Sequence, residues 1–475
     1  MDPLRGVRAR VCGDPPVAAD CARLLAGYGA EVDQNPHPGP ATVAMSDGGC
    51  RAPGTARMSA AVSACPGLPA AVPVRAAAGL LAIAALAAAR TGAGIEVDAD
   101  SAATLVLQPL VMAHWYGAPA PDRAIPTPIR DGWVAAELGS PGDAELFALL
   151  RAAERDADAE RLSAAAQEWR LPVVPYRAPA PRTTPSVGPG AGTVDPCGDA
   201  PACSGDGIAP LAGVRVLDVT AMWAGPLCTW LLATLGASVL TVESDARPDG
   251  MRAPAGGGIY PGGIAPDGDG GRSAMFVALA RGKQRARLDL RIAQDRTAFA
   301  DACRSADLRV DSLSRRARRQ LDLDSLVGTP APATVSIPAF PPGPEGDWVA
   351  YGTQIHAVSG LASPRGAPGP VPAATAYADA LGGVAAALAA LVALHASARR
   401  PGVELEAPLA RAVAGLAVDT DGGALLRADP AGRVAELAAG PRARFSEHRV
   451  GDALLRHPAT PFPSIPAVVS GEVVG

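Results

Sequence analysis

Lysine is nearly missing from this 475-residue sequence: of its 42 basic residues, only Lys283 is a lysine. Aromatics are sparse at 4%, and the net charge of −5 leaves no basic surplus, so a nucleic-acid surface built on phosphate neutralisation is excluded. The eight cysteines (Cys12, Cys21, Cys50, Cys65, Cys197, Cys203, Cys228 and Cys303) form no CxxC and no zinc-ligand spacing. That argues against a metal finger and for a reduced, cytoplasmic thiol pool. No apolar run follows the first charges of the chain, so a secretory leader is not expected. The longest apolar stretches, Ala76–Ala89 and Ala380–Leu394, are alanine-rich with ordinary soluble flanks, which suits buried helices rather than membrane spans. Also missing are G-x-G-x-x-G, the P-loop, HExxH and GxSxG. NAD use, P-loop phosphate binding, metalloprotease and serine-hydrolase chemistry thus lack support, and no metal site is expected.

What the chain does have is length for two or three domains and 53 glycines with 48 prolines, about a fifth of all residues, which predicts long connectors. It also has an internal echo. Leu4–Val32 lies over Leu211–Val239 without a gap at an offset of 207, with 11 identities in 29 positions. Gly6, Arg8, Cys21 and Gly29 are among them, and alanine-rich composition does not produce these. Pro40–Val43 then echoes Pro332–Val335, and Gly79–Val97 echoes Gly383–Leu405. Matches in a conserved order predict a tandem duplication with a drastically shortened first copy. The organisation expected is a degenerate module over 1–176, a Pro/Gly-rich mobile linker over 177–210 and a full module over 211–475.

In the second module Val214–Val219 reads as a buried strand, Ala224-Gly225-Pro226 breaks the chain, and Leu227–Leu235 reads as an amphipathic helix. Strands are expected at Ser238–Val242, Leu308–Val310 and Thr334–Ile337, with helices near Gln294–Ser305 and Ala380–Ala396. Alternating strands and helices imply an α/β, Rossmann-like, doubly wound parallel sheet.

Three features carry chemistry. Lys283 was spared by a strong bias toward arginine, which suits either a compact ammonium wanted at that position or a chance residue on a solvated loop. Arg315, Arg316, Arg318 and Arg319 form either a solvated helix face or a phosphate contact. Asp379 stands at the start of the alanine-rich helix, at an N-cap position, where backbone N–H groups and the helix dipole favour an ionised carboxylate. Such a residue is either a plain cap or a nucleophile.

Several blocks resemble the class III CoA-transferase (CaiB/BaiF) family, which includes formyl-CoA and carnitine CoA-transferases and, as cousins, the 2-methylacyl-CoA racemases. They are Leu211–Asp218 with Trp223–Pro226 and Leu231–Val239, then Val242–Ser244 with Pro248–Arg252, Arg281–Lys283 with Leu288–Leu290, Ala306–Asp324, and Tyr351–Gly360 with Ala378–Gly383. Asp131–Val134 and Ala164–Tyr176 resemble pieces of the family's small domain. The resemblance implies a tandem copy of that fold and transfer of CoA from an acyl-CoA to a carboxylic acid through an aspartyl thioester on Asp379. It implies CoA contacts at Trp223, Ala224, Ser312 and Leu313, and at Arg281, Lys283 and Arg319.

Gly382-Gly383 is a candidate oxyanion donor pair. Ser244, Ala280 and Ser314–Gln320 depart from the family pattern. Tyr351 stands where the racemases carry a proton-transferring histidine, and His356 keeps an isomerase reading open. A catalytically inactive scaffold subunit is the remaining alternative. The repeat sets Arg75 where Asp379 sits, and a cation cannot be the nucleophile, so the first copy is expected to act as a built-in partner. Either an intrachain pseudo-dimer or a homodimer is compatible with the sequence, with neither membrane nor nucleic acid as partner.

Overall fold

The computed structural model describes residues 2–13, 15–36, 40–46, 54–60, 71–92, 94–116, 126–179, 209–252, 272–327, 332–363, 368–373, 375–416, 445–450 and 453–465. Cys50, Cys65, Cys197 and Cys203, most of the expected linker and much of the C-terminal tail lie outside these residues. The other four cysteines are buried.

The N-terminal half runs β1 (Arg8–Gly13), α1 (Pro15–Gly27), β2 (Glu31–Pro36), β3 (Thr42–Ser46), β4 (Gly54–Met58), α2 (Ala71–Thr91), β5 (Gly94–Val97), α3 (Ala99–Val106) and α4 (Gln108–Trp115). Its sheet has the order β2-β1-β3-β4-β5. A small unit follows, with β6 (Pro126–Ile129), β7 (Gly132–Ala136), α5 (Pro141–Ala153), α6 (Ala159–Glu168) and β8 (Val173–Pro175), its three strands antiparallel.

The C-terminal half runs β9 (Arg215–Val219), α7 (Ala224–Thr234), β10 (Ser238–Glu243), α8 (Ala274–Ala280), β11 (Lys283–Arg287), α9 (Ala293–Ser305), β12 (Leu308–Asp311), α10 (Arg315–Gln320), α11 (Leu323–Val327) and β13 (Ala333–Ser336). It continues through α12 (Gly352–Val358), α13 (Tyr377–Ser397), β14 (Glu404–Glu406) and α14 (Leu409–Ala412) to a hairpin, β15 (Phe445–Val450) with β16 (Ala453–Pro458). Its six strands are all parallel in the order β11-β10-β9-β12-β13-β14. This is the doubly wound sheet expected from strand–helix alternation. Expected strand positions hold to within a residue, while β11 and β14 were not foreseen.

Helix α7 departs from expectation. It starts at Ala224 and is buried around its first ten residues rather than on one stripe, because α13 and α8 cover it on the side away from the sheet.

The first βαβ unit of each half corresponds at the noticed offset: β1, α1 and β2 have β9, α7 and β10 as counterparts. The Pro40–Val43 echo does not survive. The strand it enters, β3, lies beside β1 and runs antiparallel to it, whereas β13 is two places from β9 and parallel. By position and direction β4, parallel to β5, takes the place that β13 holds beside β14.

One core spans both halves, with α2 against α13 at its centre. Both helices are long and apolar enough to cross a membrane, but 83% of the apolar window of each is buried inside the fold. Alanine makes the close crossing possible, and so does Gly79, where a Cβ would lie 2.4 Å from Val384 Cγ1.

Candidate active site

Asp379 lies in the first turn of α13, whose N-cap is Ala376. It is therefore the third helical residue and not the cap, which corrects the expectation from sequence. The backbone N–H of Gly352, at the start of α12, donates to its carboxylate. Gly352 must be glycine here: a Cβ would sit only 1.9 Å from Asp379 Oδ2.

Asp379 keeps some accessible surface, yet burial and the nearby charge of Glu137 push its carboxyl up to about 7. This reverses the sequence expectation of a carboxylate held ionised by the helix end. Desolvation and like charge outweigh one hydrogen bond and the dipole.

Glu137 follows β7 and comes from the other half of the chain. Its Oε2 accepts the Thr353 hydroxyl at 2.7 Å, and burial raises its pKa as well. The two carboxyls thus lie within electrostatic reach of one another, as does Tyr351, whose phenol is raised by burial and by Glu137.

The small unit is held there by polar contacts. Gln167 of α6 donates to Val349 O at 2.8 Å and accepts Val349 N–H at 2.7 Å. Gln354 of α12 accepts Tyr351 N–H at 3.0 Å and donates to Ala135 O and Pro172 O. Arg177 bridges Glu160 and Glu345. The Asp131-Gly-Trp-Val134 segment had pointed to this unit, but nothing in the sequence alone showed that Glu137, three residues on, would face Asp379.

His356 is buried and stacked on Tyr377 with ring centroids 3.9 Å apart. Its Nε2 accepts the N–H of Ala378 at 3.1 Å, and burial pushes its pKa down to about 3. It accepts from the first turn of α13 at Nε2, which takes that nitrogen out of play for proton transfer.

Gly382 and Gly383 lie inside α13, where their N–H groups are spent on the helix ladder. They allow close packing instead: a Cβ on Gly382 would lie 2.2 Å from Leu409 Cδ2, and one on Gly383 2.7 Å from Ala224 O. The same packing brings the second turn of α13 against the start of α7.

Trp223 and Ala224 are at that start, both buried. Ser312 accepts Ala221 N–H at 3.2 Å, so the ends of β9 and β12 adjoin. Leu313 packs inward, and its N–H goes to Asp311. Arg319 is exposed on α10 and paired with Asp347 at 3.2 Å. These five expected contacts gather at the C-terminal ends of the strands, where α/β sheets bind ligands.

Lys283 lies beside them but is taken up by the fold: its side chain is 2% exposed and donates to Asp218, Thr229 and, in the first turn of α7, Pro226 O. Arg281 precedes the start of β11, which pairs with the start of β10, and it therefore lies at the opposite end of the strands.

The cations at the correct end are Arg252 and Arg285. They clasp Phe276 with guanidinium carbons 4.3 and 4.4 Å from its ring centre. Arg285 is pushed down to about 10 by burial and by Arg252. Beside them Met222, exposed and in the left-handed region with φ 69°, is held by a hydrogen bond from its N–H to Asp249 at 2.9 Å. Arg75, which the sequence echo sets opposite Asp379, is bound to Asp20 at 2.7 Å and to the carbonyl of Ala412. Among the described residues no group of His, Cys, Asp and Glu is placed to hold a metal.

Residues 211–421 match the model of CoA-transferase family III. The chain is 31% identical over 181 residues to a succinate–glutarate CoA-transferase of Agrobacterium fabrum, covering 37% of this chain and 44% of the relative. It is 31% identical over 194 residues to a succinyl-CoA–D-citramalate CoA-transferase of Chloroflexus aurantiacus, covering 39% and 45%. The chain thus spans less than half the length of these curated relatives. A CaiB/BaiF family protein from Brucella suis of known structure matches with 24% identity over 44% of this chain and 56% of that one, at a TM-score of 0.39.

Proposed function

Since residues 211–421 are a stretch of CoA-transferase family III, we propose that the chain moves CoA from an acyl-CoA donor to a carboxylic acid acceptor, with Asp379 as covalent nucleophile. The observation that carries this reading is a partly accessible carboxyl in the first turn of α13, held by the Gly352 N–H and set near the charge of Glu137.

Asp379 as carboxylate attacks the thioester carbonyl and expels CoA thiolate, leaving a mixed anhydride. The thiolate then attacks the aspartyl carbonyl, the donor acid departs, and an aspartyl-CoA thioester remains. The acceptor carboxylate repeats these steps in reverse order, regenerating Asp379. During attack on the aspartyl carbonyl, the Gly352 N–H is already aimed at the oxygen that becomes an oxyanion. Arg285, unlike Arg252 with its Glu243 partner, keeps its charge unpaired by a carboxylate among the described residues, and suits the phosphates of CoA better than Lys283 or Arg281, which are spent or remote. Because Glu137 comes to Asp379 from the first half of the same chain, one polypeptide would operate as its own pseudo-dimer.

The test is incubation with acyl-CoA, trapping by hydroxylamine and mass spectrometry. Modification is expected on Asp379, and Asp379→Asn is expected to abolish thioester exchange while the fold is kept. Undiminished exchange in that variant would sink the proposal.

A further inference from the structure

The end of the parallel sheet remote from Asp379 holds a cavity of about 240 Å³, lined among others by Trp230, Thr234, Arg281, Gln284, Ser446 and Thr460. Arg281 donates to His457 Nε2 at 2.5 Å, and His457 Nδ1 faces the Pro458 carbonyl at 2.8 Å. The carbonyl requires an N–H at Nδ1, so Nε2 carries the lone pair and the imidazole facing Arg281 is neutral.

Among the described residues no carboxylate pairs with Arg281. Several other part-buried arginines do have one: Arg75 with Asp20, Arg177 with Glu345, Arg252 with Glu243 and Arg315 with Glu406. Burial lowers the Arg281 pKa, and a desolvated cation without a counter-ion is an unfavourable feature of a folded chain unless something completes it.

We propose that this cavity is a second ligand site, separate from the transfer site, that takes a small monocarboxylate with a short apolar or aromatic stem. One guanidinium offers a single positive charge and a fork that fits a carboxylate. The ring of Trp230 and the alanines beside it suit the stem, and the hydroxyl and amide groups of Thr234, Gln284, Ser446 and Thr460 surround the head. The assignment does not rest on the transferase reading, since it uses no residue of the Asp379 site.

Isothermal titration of the full chain with benzoate, butyrate and inorganic phosphate tests it. Benzoate or butyrate is expected to bind and raise the melting temperature. Arg281→Gln, which removes the charge, and Ser446→Trp, which fills the space, are each expected to weaken binding about tenfold or more, with circular dichroism confirming that both variants fold. Carboxylate binding that survives both substitutions would belong to another site and overturn the assignment, as would failure of both carboxylates to bind at millimolar concentration or preferential binding of phosphate.

Discussion

At the scale of single residues, the Asp379 carboxyl is governed by two neighbours that act in opposite directions. Glu137 adds negative charge and raises its pKa, while the Gly352 N–H favours the ionised form. In the proposed reaction the attacking species is the carboxylate, so kcat/KM should rise with pH through about 7. Glu137→Gln keeps the shape and the hydrogen bond to Thr353 but removes the charge. The acidic limb of the pH–rate profile is then expected to move to lower pH, and a limb that stays in place or moves up would show that Glu137 does not act on Asp379 electrostatically.

Gly352→Ala tests the other neighbour, because its Cβ would lie 1.9 Å from Asp379 Oδ2. The carboxylate must swing away, and displacement of a reacting group by about 1 Å costs on the order of a hundredfold in rate. Steady-state kinetics should show that loss in kcat, with an unaltered melting temperature separating it from misfolding.

At the scale of elements, the sequence made the second half legible because buried parallel strands and their helices are written as local apolar runs. β9, β10, β12 and β13 could be placed for that reason. β11, with the sequence Lys-Gln-Arg-Ala-Arg, could not, since it is an edge strand whose polar side chains hide its period. The site was only half legible. Asp379 stands in a recognisable block, but its raised pKa depends on Glu137, 242 positions earlier in the chain, and no local pattern reports that meeting. The false leads have the same origin: Arg281 and Lys283 adjoin in sequence, yet one end of a strand and its buried face are different places.

The small unit of β6 to β8 with α5 and α6 brings Glu137 across, and Gln167, 5% exposed, is its main polar anchor. Gln167→Ala leaves the Val349 N–H and C=O without partners, at a cost of about 1–3 kcal/mol. A lowered melting temperature is expected together with a downward shift of the Asp379 pKa seen in the pH–rate profile, as Glu137 recedes. Loss of stability with an unchanged profile would mean that the anchor does not set the distance between the carboxyls.

At the scale of the whole molecule, neither half has a complete surface of its own. α13 needs α2 against it, and the crossing at Gly79 and Val384 is too close for any other residue at Gly79. The C-terminal segment reaches back to the first half as well: Pro461 O accepts Asp98 N–H at 2.9 Å, Tyr116 donates to Arg456 O at 2.9 Å, and Ser464 Oγ accepts Glu96 N–H at 3.1 Å. An isolated piece of residues 209–475 would expose the apolar face of α13 and lack Glu137. It is expected to aggregate, or to lose transferase activity by about a hundredfold or more.

Co-expression of 1–179 with 209–475 as separate chains should restore a one-to-one complex and its activity, because every contact described between the halves is non-covalent and lies outside residues 180–208. Sedimentation equilibrium and the thioester-exchange assay read both outcomes. A soluble and fully active 209–475 would refute the interdependence of the halves. An inactive but well-assembled pair would place a requirement on the connecting residues themselves.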